Sequence, residues 1–230
     1  MYLNIIRYSL VWLLIAATQM AMSAQSPKDV SFATRDGGQV DADLYGKGDR
    51  GVVFAHGAIF NKQSWAPLAK RMAALGYRAL AIDFRGYGKS RAGSDPGALD
   101  LDVIAAVHWM HAQGVTSVSV VGGSMGGGAA GKAATELARG QIDKLVLLSP
   151  MPIADPGKLK ASKILYVASR DEGLAPTVRE QYAQAPEPKQ LVLLPGSAHA
   201  QNIFATDQAQ HLSDVIVDFL TGGNMRSTDR

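Results

Sequence analysis

The stretch Val118-Ser119-Val120-Val121-Gly122-Gly123-Ser124-Met125-Gly126-Gly127-Gly128 constrains this chain more than any other. A β-branched apolar run ends at Gly-x-Ser-x-Gly and passes into Ala129-Ala130-Gly131-Lys132-Ala133-Ala134, which reads as a helix. Turning from strand to helix at one residue forces that residue into a strained backbone conformation, and side chains two positions to either side would strike the neighbouring strand and helix. Glycines at 122 and 126 remove the collision. The spacing predicts a buried strand, a tight turn that raises the Ser124 hydroxyl above the sheet, and a helix whose first N–H, that of Met125, can meet an oxyanion. Such a turn could also pack closely without chemistry or cradle a phosphate; the lack of a Gly-Lys-Ser/Thr ending argues against a Walker-type loop.

Upstream, Val30–Thr34 and Val40–Tyr45 alternate apolar and polar residues around Asp36-Gly37-Gly38, the pattern of an antiparallel hairpin. Gly51–Ala55 is continuously apolar, as a strand covered on both faces must be, and ends at His56-Gly57-Ala58. A helix is expected over Trp65 to Leu75, stopped by Gly76, then a strand over Tyr77–Ile82 leading to Asp83-Phe84-Arg85-Gly86-Tyr87-Gly88-Lys89-Ser90. Ala98 to Gln113 has helical spacing, and the helix after Ser124 is expected to reach about Arg139. Strands over Lys144–Leu148, Ile164–Ala168 and Gln190–Leu194 alternate with helices over Thr177–Ala185 and about Asp207–Leu220. The pattern predicts an α/β fold with a mainly parallel sheet of about eight strands, helices on both faces, and functional groups at the carboxyl ends of the strands.

The 230 residues, 47% of them hydrophobic, suit one domain over residues 25–230. Residues 1–24 read instead as a signal peptide. Arg7 supplies the positive start, Leu10–Ala17 the apolar run, and Ala21-Met22-Ser23-Ala24 the small residues for cleavage. The run is well short of the roughly 20 residues that cross a bilayer, so no stable membrane anchor is expected after cleavage. The protein is therefore expected in the periplasm or outside the cell. With no cysteine, the core must be held by burial alone. A net charge of +3 without a basic block gives no reason to expect a nucleic-acid partner.

Three loops at strand ends hold residues suited to acyl transfer, in the order Ser124, Asp171, His199. A serine hydroxyl is a poor nucleophile at neutral pH unless a base takes its proton; imidazole can take and return it, and a carboxylate fixes the imidazole tautomer. This order, His56-Gly57, Asp83-x-Arg85-Gly86-x-Gly88-x-Ser90 and Gly122-x-Ser124-x-Gly126 together resemble the α/β-hydrolase fold family, from about Phe32 to Leu220. The resemblance implies Ser124 as nucleophile, Asp171 as triad acid, His199 as base, and the backbone N–H groups of Met125 and Ala58 as oxyanion hole. It also gives His56-Gly57 the shaping of the oxyanion loop rather than proton transfer.

Glu172 adjoins Asp171, and Asp155 follows the preceding strand, where some family members place their acid; the expectation goes to Asp171. His108 and His111 sit on a helix near an apolar face and read as surface or packing residues, His211 lies inside the closing helix away from the strand ends, and no two histidines pair with a carboxylate at metal-ligand spacing. Asp83 and Arg85 are expected to brace their loop. Ser149 to Ser162 leaves about a dozen proline-rich residues, too few for a folded lid, so an open site is expected, with Ile59, Phe60, Met151 and Ile203 as candidate substrate contacts or core. The whole implies an exported carboxylesterase-type serine hydrolase acting on a small-molecule ester through an acyl-enzyme, with no metal or organic cofactor. A thioesterase or peptidase of the same fold, or a hydrolase fold that binds without catalysing, is the competing expectation.

Overall fold

Alternation along buried strands divides the interior into two layers. Val52 and Phe54 belong to one core cluster and Val53 and Ala55 to the other. The same split separates Val146 and Leu148 from Leu145 and Leu147. Successive side chains of a strand point to opposite faces, so continuously apolar strands demand a helix layer on each side.

The structure is a computed structural model that describes residues 27–223, so the expected leader lies outside the described residues. Strands β1 (Lys28–Ala33) and β2 (Gln39–Tyr45) form the antiparallel hairpin. The others are β3 (Arg50–Ala55), β4 (Tyr77–Asp83), β5 (Ser117–Gly123), β6 (Lys144–Leu148), β7 (Lys163–Ser169) and β8 (Lys189–Leu194). They form an eight-stranded sheet in the order β1-β2-β4-β3-β5-β6-β7-β8, parallel from β4 to β8.

Helices α1 (Ala66–Ala74) and α5 (Ala209–Thr221) cover one face through Leu68, Met72, Leu212 and Ile216. The other face carries α2 (Leu99–Ala112), α3 (Met125–Glu136) and α4 (Ala175–Gln184), through Val103, Val107, Ala130, Ala133 and Val178. Each fully buried aliphatic or aromatic side chain contributes about 1.5–3 kcal/mol relative to exposure.

Two helices differ from their expected bounds for visible reasons. α3 stops at Glu136 rather than Arg139 because Leu137 turns extended, at ψ 150°, and sinks into the core. The stretch expected to be helical from Trp65 begins earlier, as a 3₁₀ segment over Lys62–Trp65, and becomes α-helical only at Ala66, with Pro67 in the first turn. Between β6 and β7 the only helical piece is the 3₁₀ turn Pro156–Lys158, so among the described residues no lid covers the carboxyl ends of the strands.

Candidate active site

Ser124 sits between the end of β5 and the start of α3 with φ 51° and ψ −114°, a conformation that L-residues rarely adopt. Its surroundings hold it there. The Ser124 N–H donates to the Leu148 carbonyl at 2.9 Å, and its own carbonyl accepts from the N–H groups of Gly128 and Met151, both at 3.0 Å. A Cβ at Gly122 would overlap the Gly126 carbonyl, and one at Gly126 would overlap the carbonyls of Ala55 and His56. The flanking glycines are thus required by the close approach of α3 to β5 and to the end of β3.

The Ser124 Oγ lies 2.8 Å from His199 Nε2, and His199 Nδ1 bonds Glu172 Oε2. A carboxylate can only accept, so the ring proton resides on Nδ1 and Nε2 is free to accept from the serine hydroxyl. Ser124, Glu172 and His199 follow β5, β7 and β8 respectively, with β6 between the first two strands. Glu172, with 1% of its side chain exposed, is itself held: Oε1 accepts from the Ser169 N–H at 3.0 Å and from the Ser149 hydroxyl.

The carboxylate that meets His199 is therefore Glu172 and not the expected Asp171. The Asp171 N–H is drawn to the Gly196 carbonyl at 3.0 Å, in the loop after β8, and its side chain is exposed to solvent. The following residue turns inward, and the extra methylene of glutamate carries its carboxylate to His199. Asp155, the other rival, is paired with Lys158 at 2.7 Å.

The loop after β3 lies against the nucleophile: a Cβ on Gly57 would stand 3.5 Å from that of Ser124. The Gly57 carbonyl accepts from the Phe60 N–H at 3.0 Å and from His56 Nδ1 at 2.8 Å, and His56 Nε2 accepts from the Phe84 N–H at 3.2 Å. With its carbonyl held on one side, the Gly57–Ala58 peptide presents the Ala58 N–H on the other. Among the described residues neither this N–H nor that of Met125 has a backbone acceptor, which leaves two donors beside the serine.

Both ring nitrogens of His56 are committed to the loop, so it cannot serve as a proton carrier. Burial pushes its pKa below 6.5, against the opposing pull of the Gly57 carbonyl and the Asp83 carboxylate, 3.8 Å from Nε2. A histidine kept neutral in the folded state binds fewer protons than in the unfolded chain, so stability falls as pH drops below 6.5. The thermal midpoint is expected to decline between pH 7.5 and 5.5, and less steeply in His56→Asn. Equal slopes for the two proteins would remove His56 as the cause.

The neighbouring loop is braced as expected. Asp83 Oδ1 accepts from the Lys62 N–H at 2.8 Å, and the Arg85 guanidinium bonds Asp102 at 2.8 Å and Asp36 at 2.8 Å. His111 is likewise structural, its ring nitrogens bonded to the carbonyls of Val115 and Gln141.

The four candidate substrate contacts separate. Ile59 is 80% exposed and Met151 45% exposed, both close in sequence to residues that hold the elbow or the oxyanion loop. Phe60 is half-buried, 3.5 Å from where a Gly57 Cβ would stand. Ile203 is not a substrate contact: at 1% exposure it packs into the core beneath the His199 loop with Leu194 and Leu212. A groove of about 450 Å³ beside the elbow is lined by Met125, Gly128, Ala129, Met151, Pro152 and Ile153 among others.

Two residues touching the oxyanion loop carry no motif in the sequence. The Tyr87 hydroxyl donates to the Ala58 carbonyl at 2.7 Å, and Gln201 Oε1 accepts the Gly57 N–H at 2.6 Å.

Residues 52–222 match the alpha/beta hydrolase family. A non-heme chloroperoxidase of Kitasatospora aureofaciens is 33% identical over 132 residues, 56% of this chain, and the match spans 46% of that relative's length. Among solved structures, an esterase of Pyrococcus furiosus superposes with a TM-score of 0.74 at 20% identity, covering 88% of this chain and 95% of that one. An esterase from Exiguobacterium antarcticum gives 0.71 at 15% identity, over 84% and 100%. A CIB-like hydrolase predicted in Thermoplasma acidophilum gives 0.70 at 20%, over 86% and 99%. At these identities the structural likeness concerns the fold.

Proposed function

The chain belongs to the alpha/beta hydrolase family, and from that premise we propose that it is an exported serine hydrolase that cleaves small or medium carboxylic esters. The observation that carries this reading is the unbroken contact chain from buried Glu172 through His199 to the strained Ser124, beside two uncommitted amides.

In this reading His199 Nε2 takes the Ser124 proton as Oγ bonds to the acyl carbon, and the carbonyl π pair moves to oxygen. The Ala58 and Met125 amides stabilise that oxyanion. Collapse expels the alkoxide, which receives the proton from His199, and leaves Ser124 acylated. Water, deprotonated by the same histidine, then releases the acid and restores the serine. Glu172 holds the tautomer and offsets the imidazolium charge throughout.

The lidless strand ends and the exposed Ile59 and Met151 favour acyl groups that need no deep tunnel. The leader pattern in residues 1–24 supports export. Both are tested on protein expressed with its own leader and recovered from the exported fraction, where N-terminal sequencing is expected to begin near Ser23 to Gln25. Hydrolysis of p-nitrophenyl esters from acetate to palmitate is expected to depend on Ser124 and to fall with chain length. A folded wild type that turns over none of them, nor the matching thioesters and anilides, would overturn the hydrolase reading; a retained residue 1 would overturn export.

A further inference from the structure

The two oxyanion amides are secured very differently. The Met125 N–H is the first of α3 and is aimed by the helix. The Ala58 N–H belongs to an exposed loop residue, three positions beyond the last residue of β3, where no ladder or helix fixes the chain. An amide aimed from such a loop stabilises an oxyanion only if neighbouring peptide groups are tied down.

Gln201 ties down the peptide before it. Its Oε1 accepts the Gly57 N–H at 2.6 Å, and its Nε2 donates to the Ser64 hydroxyl at 2.7 Å, which in turn donates to the Asn61 carbonyl at 2.5 Å. The residue is only 4% exposed and lies close over the elbow as well: a Cβ at Gly123 would stand 3.2 Å from Oε1 and 3.3 Å from Cγ. Gln201 is also two residues from His199, in the 3₁₀ segment Ala200–Ala205 that opens at the histidine. One buried amide thus touches the base loop, the nucleophile elbow and the oxyanion loop.

We infer that Gln201 is a positioning residue of the Ala58 oxyanion amide, acting beside the Phe60 N–H and His56 that hold the Gly57 carbonyl: its own carbonyl holds the Gly57 N–H and so keeps the next N–H directed at the site. This rests on the serine-hydrolase reading. The chemistry selects glutamine. Both ends of its amide are used, one accepting and one donating. Asparagine is one methylene too short, methionine has the length but no comparable acceptor, and glutamate accepts but cannot donate and brings a negative charge toward the forming oxyanion.

The test measures ester turnover and inhibition by an aryl trifluoromethyl ketone for the full-length wild type, Gln201→Met and Gln201→Glu. The ketone forms a reversible Ser124 Oγ–carbon bond and places an oxyanion in the hole whatever the natural substrate. One oxyanion donor is worth about 10²–10³ in kcat, so misaiming one is expected to lower kcat about 10- to 100-fold. KM should stay within about threefold, and the inhibition constant should rise by the factor by which kcat/KM falls. Gln201→Glu keeps an acceptor for the Gly57 N–H, so its loss reports the added charge; if Gln201→Met does not fold, Gln201→Leu takes its place. Variants that match wild type in kcat and inhibition would overturn the assignment, as would a loss expressed equally in KM with a lowered thermal midpoint, the mark of general loosening. A wild type inert to both ester and ketone would overturn the hydrolase reading, and this inference with it.

Discussion

Under the proposed serine-hydrolase reading, Ser124→Ala and His199→Ala are each expected to lower kcat on a turned-over ester by about 10⁴- to 10⁶-fold, while KM changes little. The size follows from the geometry. The hydroxyl 2.8 Å from Nε2 is the only group in the contact chain that can form the acyl bond, and the imidazole is the only one that can both take and return its proton. Removing either leaves the oxyanion amides and substrate binding, which retain a small residual rate. The double variant is expected to cost no more than the worse single one, because the two act as a unit. Stopped-flow and long-time-course measurements on the purified variants check this. Turnover within tenfold of wild type for either would remove that residue from the chemistry.

Glu172→Gln is expected to lower kcat by about 10³- to 10⁴-fold, whereas Asp171→Asn leaves it within about twofold. Glutamine keeps the shape of glutamate but can turn an NH₂ toward His199 Nδ1. The ring then moves its proton to Nε2, where it blocks transfer from Ser124. The same change removes the charge that offsets the imidazolium and disturbs the bonds from Ser149 and the Ser169 N–H. Asp171 faces solvent and is tied into its loop by its backbone alone, so removing its charge disturbs nothing in the site. Steady-state kinetics on the pair decide between the carboxylates. The reverse pattern would restore Asp171 as the acid.

Much of the fold is local and was legible along the chain. Val52–Ala55, Ala79–Ile82 and Leu145–Leu148 are apolar without interruption because both faces of their strands are covered, and that pattern survives reading in one dimension. The elbow was legible for the same kind of reason. The clash that excludes side chains at Gly122 and Gly126 arises from backbone only a few residues away, apart from the end of β3.

Which carboxylate meets His199 was not legible at single-residue resolution. Asp171 and Glu172 are consecutive, and which turns inward depends on a short loop whose backbone is pulled by Gly196, twenty-five positions on. Ile203 reads from the sequence equally as substrate contact or core, and the 3₁₀ turn after His199 decides for the core. Gln201 gave no sign at all: a polar residue in a loop reads as solvated until its burial between two other loops is seen. The sequence by itself determined the strands, the elbow and the order of the Ser124, carboxylate and His199 loops, because those depend on short-range sterics and periodic burial. Only the tertiary structure decided which carboxylate reaches the histidine and which side chain steadies the oxyanion loop, because those choices are made between segments that meet only when the sheet closes.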